Sequence, residues 1–157
     1  MFMLMSTATA HSHLFTDSAR AVNYMLGGRA KVTFVSQATG VRFTFKITSK
    51  PARSGVGLVY FVSVLTGSNN ESDYSWMGMI STDGVTYRHG GAKAKVGSAA
   101  PSAKAFVWVW ERLTRGVLPA QLSIYHEGTC GRCGRTLTVD SSILSGFGPE
   151  CAERVGA

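Results

Sequence analysis

Lys31-Val-Thr-Phe-Val-Ser36-Gln-Ala-Thr-Gly40-Val-Arg-Phe-Thr-Phe-Lys-Ile-Thr48 alternates apolar and polar side chains on both sides of a short turn. A repeat of two is the side-chain repeat of a β-strand, so the stretch predicts an antiparallel hairpin. Val32 and Phe34 are expected on the buried face of its first strand. Val41, Phe43, Phe45 and Ile47 are expected on the buried face of the second. Arg42, Thr44, Lys46 and Thr48 then share the outer face. Gly40 suits the positive-φ position of a short hairpin loop.

Towards the N-terminus, Asp17 to Gly28 reads as a helix with Asp17 as N-cap and Gly27 as its left-handed stop. Ala21, Tyr24 and Met25 would share one face of it. Residues 1–13 are expected to be a flexible lead; their His11 and His13 read as part of a solvated tail.

Towards the C-terminus, Ser49 to Gly57 is a loop carrying Lys50 and Arg53. Leu58 to Leu65 is apolar at nearly every position, which predicts a central strand covered on both faces. Tyr74 to Ile80 is a further strand, with Gly78 as a bulge or close-contact point. Val85 to His89 reads as a short edge strand, and Gly90 to Ala100 as a mobile basic loop with Lys93 and Lys95. Pro101 to Gly116 is the main helix, with a stripe of Ala103, Phe106, Val107, Trp110, Leu113 and Thr114. Val117 to Tyr125 would be the last strand. The expected fold is α+β. It has an antiparallel sheet of about five strands and one main packed helix in residues 14–125. A small treble-clef-like zinc module follows in residues 126–157.

The chain has 157 residues, of which 45% are hydrophobic, as in folded domains. Sixteen Lys and Arg face nine Asp and Glu, a formal net charge of +7. Between Ser18 and Asn70 stand seven bases (Arg20, Arg29, Lys31, Arg42, Lys46, Lys50, Arg53) and no acid. That asymmetry points to an anionic partner, nucleic acid first. A basic surface with no partner is the plainer alternative. The apolar runs are too short to cross a bilayer. The expected compartment is the cytoplasm, where clustered cysteines bind metal more often than they pair.

All three cysteines fall in the last thirty-odd residues. His126-Glu-Gly-Thr-Cys130-Gly-Arg-Cys133-Gly-Arg is followed by Gly146-Phe-Gly-Pro-Glu-Cys151. Two thiolates spaced by two residues, with a third after a returning chain, suit tetrahedral zinc. Gly131 and Gly134 would free amide N–H groups to face the sulfurs. Cys151 would sit at the start of a short helix. On spacing His126 is the preferred fourth ligand, with His89, Asp140 and water as competitors. A Cys-x-x-Cys redox pair would follow a strand in a βαβ unit, which is not the pattern here.

The run Cys-Gly-Arg-Cys-Gly-Arg-x-Leu-Thr followed by Gly-x-Gly-Pro-x-Cys resembles an uncharacterised zinc-finger-like family of bacteriophage and actinobacterial proteins, a domain of unknown function. The resemblance covers residues 126–154. It implies zinc binding, with Cys130, Cys133 and Cys151 among the matched residues, and a phage or DNA-handling context; it gives no activity, and His126 as the fourth ligand rests on spacing. The expected function is therefore a nucleic-acid-binding accessory protein with structural zinc and no catalysis. Its phosphate contacts would come from Arg42, Lys46, Lys50, Arg53, Lys93, Lys95, Arg132 and Arg135. Tyr74, Trp76, Tyr87 or Trp108 would stack on bases where they face outward. The alternative is a protein-binding inhibitor or adaptor, such as a phage factor acting in the host cytoplasm on a defence nuclease. An enzyme built on Glu71, Asp73 and His89 is the least favoured reading.

Overall fold

The computed structural model describes residues 13–155. Helix α1 (Ser18–Met25) leads into strands β1 (Arg29–Ser36), β2 (Arg42–Pro51), β3 (Leu58–Leu65), β4 (Tyr74–Ile80) and β5 (Tyr87–His89). Helix α2 (Pro101–Thr114), strand β6 (Leu122–His126) and two short helices, α3 (Asp140–Ser145) and α4 (Pro149–Val155), follow among the described residues. The six strands form one antiparallel sheet in the order β5-β4-β3-β2-β1-β6. The expected α+β class holds, with six strands in place of about five. The sheet is a meander whose last strand returns to pair along the free edge of β1.

The alternation read in β1 and β2 sets the register. Val32 faces Phe45 and Phe34 faces Phe43. Ala30, Val32, Phe34, Phe45 and Ile47 are buried on one face, joined there by Val62 and Val64 of β3 and Ile124 of β6. Helix α2 lies over this face. Phe106 packs on Phe34, Phe45 and Tyr87 at ring separations of 6.2, 5.1 and 5.1 Å. The Trp110 indole N–H donates to the Val85 carbonyl at 2.7 Å. Its buried stripe is Ala103, Phe106, Val109, Trp110 and Leu113. Val107, expected in that stripe, is turned outward, and Val109 takes its place.

Several local expectations are corrected. Val41 lies outside β2 and is 50% exposed, because the strand starts at Arg42. Among the described residues the helices pack on one side of the sheet, so β3 is covered there on one face only. Val59, Phe61 and Leu65 stay half-buried on the other. The residues around Gly78 do form a bulge: Val62 pairs with Gly78 and Ser63 with Trp76, so Met77 is skipped. The segment after β5 is tied to β4, with N–H groups of Gly90 and Lys95 donating to Met77 and Trp76 carbonyls at 2.8 and 3.1 Å. Asp17 caps α1 as expected, accepting from the Ala19 N–H at 3.4 Å. The left-handed residue after the helix is Gly28, at φ +121°, not Gly27. Gly27 serves a close approach instead: a Cβ there would lie 2.5 Å from the Gly131 carbonyl oxygen.

That approach shows how the C-terminal segment sits. Cys130, Leu137, Phe147 and Cys151 belong to the same buried cluster as the sheet and α1. The boundary expected at residue 126 falls inside this cluster, at the end of β6. Of the expected flexible lead, only His13 lies among the described residues. Its ring stacks on that of His126 at 4.6 Å. Leu14 bridges Tyr125, which covers the outer edge of β6.

Candidate functional site

Two features stand out, a cysteine cluster and an uncovered sheet face. The cluster is built by the chain leaving β6. Gly128, at φ +83°, turns it, and a Thr129–Thr136 bridge closes the knuckle. Gly134, at φ +79°, lets the loop fold back so that its N–H donates to the Cys130 carbonyl at 2.9 Å. Helix α3 ends at Gly146 in the left-handed region, and α4 brings Cys151 back to the knuckle. The sulfurs of Cys130, Cys133 and Cys151 all lie within 4.8 Å of one another. They are free thiols, and together they form a group able to hold a metal ion.

The surroundings favour thiolate at Cys130. Burial pushes its thiol up, but backbone N–H groups of Gly148, Cys133 and Arg132 outweigh burial and bring it down to about 7. The Gly148 N–H donates to the Cys130 sulfur at 3.3 Å. Gly131, expected to help there, is instead pressed against the Tyr24 ring. At Cys151 the Arg132 guanidinium, 3.6 Å away, pulls the thiol down. Burial and the two neighbouring thiols outweigh it and leave Cys151 above its ordinary value.

His126, the preferred fourth ligand on spacing, stands outside this group. It is 1% exposed, and both ring nitrogens are occupied by backbone. Nδ1 accepts from the Gly128 N–H at 3.0 Å, which assigns the proton to Nε2. Nε2 then donates to the Ile143 carbonyl at 2.5 Å. Position 126 points to the buried face of β6, with Ile124, and this alternation overrides the spacing argument. Burial, opposed by the Ile143 bond and reinforced by His13, holds its pKa below 6.5. The competitors are also elsewhere. The His89 Nε2 bonds the Val96 carbonyl at 2.8 Å, and Asp140 is exposed in the first turn of α3.

The second feature follows from the register. On the face away from the helices stand Arg29 and Lys31 of β1, Arg42, Lys46 and Lys50 of β2, and Arg88 of β5. Among them lie half-buried Phe61, Tyr74, Trp76 and Tyr125. Lys46 and Lys31 reach over the Tyr74 ring at 5.5 and 5.9 Å, and Lys50 over Phe61 at 5.0 Å. Acids are few. Glu127 accepts from Thr33 Oγ1 at 2.8 Å, and Glu71 lies 3.6 Å from Lys31. Burial, with Glu127 and Glu71 nearby, pushes the Tyr74 phenol up to about 12.

Of the residues predicted for nucleic acid, the structure gathers Arg42, Lys46 and Lys50 on this face. Arg53 lies in the β2–β3 loop, and Lys93 and Lys95 follow β5 beside the β4 edge. Arg132 and Arg135 belong to the knuckle, which meets the sheet where Gly134 packs against Arg29. Sequence reasoning left out Arg29, Lys31 and Arg88 as a set with these. The signal was present for two of them, because Arg29, Lys31 and Thr33 alternate with Ala30, Val32 and Phe34. Trp108 is 47% exposed on the outer side of α2, stacked on Arg112 at 3.7 Å and away from this face. Glu71, Asp73 and His89 are separately engaged, with Lys31, the Asn69 N–H and Val96.

Among the described residues, no helix is long and apolar enough to cross a membrane. No curated protein and no solved structure matches the chain. Residues 120–156, which span β6 and the cysteine cluster, match the model of a family of unknown function (DUF6011).

Proposed function

We propose that the protein binds single-stranded nucleic acid on the uncovered sheet face, and that zinc held by Cys130, Cys133 and Cys151 staples the C-terminal segment to that sheet. The carrying observation is the arrangement of Arg29, Lys31, Arg42, Lys46, Lys50 and Arg88 around Phe61, Tyr74, Trp76 and Tyr125 on a face that, among the described residues, no helix covers. Cations neutralise phosphates and release counterions, and half-exposed rings offer planes on which unpaired bases stack. A duplex hides its base faces, so the aromatic residues favour a single strand. Zinc suits the donor set: three sulfurs in a reduced cluster, one of them with a lowered pKa. In this reading the metal is structural and the protein acts by binding.

The test is a binding panel of single-stranded DNA, RNA and duplex DNA, measured across salt. The expected result is tighter binding of single strands, weakening steeply as salt rises. Salt-independent binding, or none, contradicts the proposal. Stoichiometric recovery of one protein from nuclease-treated lysate, without nucleic-acid binding, would favour the adaptor reading. The exposed Trp108–Arg112 pair is the surface such a partner would meet.

A further inference from the structure

Three protein sulfurs converge in the cluster, and zinc takes four ligands. Among the described residues no histidine, aspartate or glutamate joins them, and the nearest histidine in sequence, His126, spends both nitrogens on backbone. Cys130 is fully buried under the knuckle, while Cys133 and Cys151 line a cleft of about 440 Å³. Arg132, Arg135 and Arg154 line the same cleft, and among the described residues Glu150 is its one carboxylate. That carboxylate is taken by Arg154 at 3.3 Å. Arg132 and Arg135 make no ion pair among the described residues. Arg132 leans on the Cys151 sulfur.

The cleft thus holds two guanidiniums that, among the described residues, have no carboxylate partner, in the same lining as two of the three sulfurs. Guanidinium is a fork-shaped donor matched to oxyanions, and a divalent metal attracts the same ligands. We propose that the fourth ligand of the Cys130–Cys133–Cys151 metal comes from outside the chain, as an oxyanion of the phosphate or carboxylate class held in the cleft by Arg132 and Arg135. The proposal rests on the metal reading above and is independent of the sheet face. Under it, the module is a metal-assisted anion site as well as a staple.

The test uses the full chain loaded with cobalt(II), whose visible spectrum reports the ligand set. Metal content is measured first, and then the spectrum is followed during titration with inorganic phosphate and, separately, acetate. The expected result is about one cobalt per chain and a saturable spectral change with at least one anion. A response to phosphate alone, or to acetate alone, identifies the class. Arg135 is exposed, so Arg135→Gln should leave metal content unchanged while weakening the anion midpoint about tenfold, the scale of one lost charged hydrogen bond. A cobalt-loaded protein whose spectrum ignores both anions overturns the proposal. So does a nitrogen ligand in X-ray absorption, which would include His11, outside the described residues. Failure to bind cobalt at all overturns the metal reading first.

Discussion

The hydroxyl of Tyr24 donates to the Thr129 carbonyl at 2.9 Å, across 105 residues of sequence. The same ring is held between two glycines. A Cβ on Gly131 would lie 2.7 Å from the ring's Cδ1, and one on Gly146 would lie 2.6 Å from it. Phe15, Phe147 and His126 complete the surround at ring separations of 5.3, 5.8 and 5.5 Å. Helix α1 is therefore the part of the sheet domain on which the cysteine segment is seated.

From this seat follows a prediction on cooperativity. Tyr24→Phe strands a buried carbonyl and should cost about 1–3 kcal/mol. Gly131→Ala forces a methyl group into the ring and should cost at least as much. Both should lower the urea midpoint of the whole chain in one transition. Truncation after Tyr125 should give an aggregating product, since it uncovers Tyr24 and its neighbours. A soluble, folded 1–125 fragment, or a separate low-urea transition for the module alone, would show that the two halves do not share a core.

The ligand assignment separates two substitutions that spacing alone would treat alike. Cys130→Ser should abolish stoichiometric zinc, and with it much of the module's stability, because structural zinc binding is largely folding free energy. His126→Gln should keep about one zinc per chain, since the imidazole faces Gly128 and Ile143. Loss of zinc in His126→Gln, measured by metal analysis of folded protein, would return the histidine to the ligand set.

Burial of neutral His126 also fixes the sign of a pH effect. Its folded pKa lies below 6.5, so the unfolded chain binds the proton more readily. The stabilisation is complete above the unfolded value of 6.5 and declines as pH falls below it, until the folded value is passed. Wild-type stability should therefore drop on acidification more steeply than that of His126→Gln, with both measured at saturating zinc. Equal slopes would mean that the imidazole is not held neutral in the fold.

The hairpin, both main helices and the cysteine trio were legible because each rests on short-range rules. Phe45 and Ile47 alternate, Asp17 caps, and Cys130 and Cys133 are two residues apart. What escaped depends on packing between distant segments. Leu58 to Leu65 is apolar on both faces, yet only its Val62 face meets helices, and no local pattern says which layers exist. His126 has ligand spacing, but its strand register turns it inwards, and that register depends on pairing with Val32. The C-terminal stretch reads as a separate module because its metal pattern is self-contained. Its hydrophobic residues Leu137 and Phe147 nevertheless join the core of the sheet.

The sheet face makes a prediction that two tryptophans, one phenylalanine and one lysine can decide. Lys46 stands near the middle of the face and reaches over Tyr74, so Lys46→Ala should weaken single-strand binding and reduce the logarithmic salt slope by about one. Phe61→Ala removes a ring that lies 6.3 Å from Trp76 and should cost about 1–3 kcal/mol if it stacks on a base. Trp76→Ala on the same face should also weaken binding. Trp108→Ala, the most exposed of the aromatic changes, should leave binding unchanged, because that ring lies on the outer side of α2. The comparison controls for exposed aromatic surface in general. If Trp108→Ala weakens binding and Lys46→Ala does not, the interface lies on the helix and the sheet face is not the site.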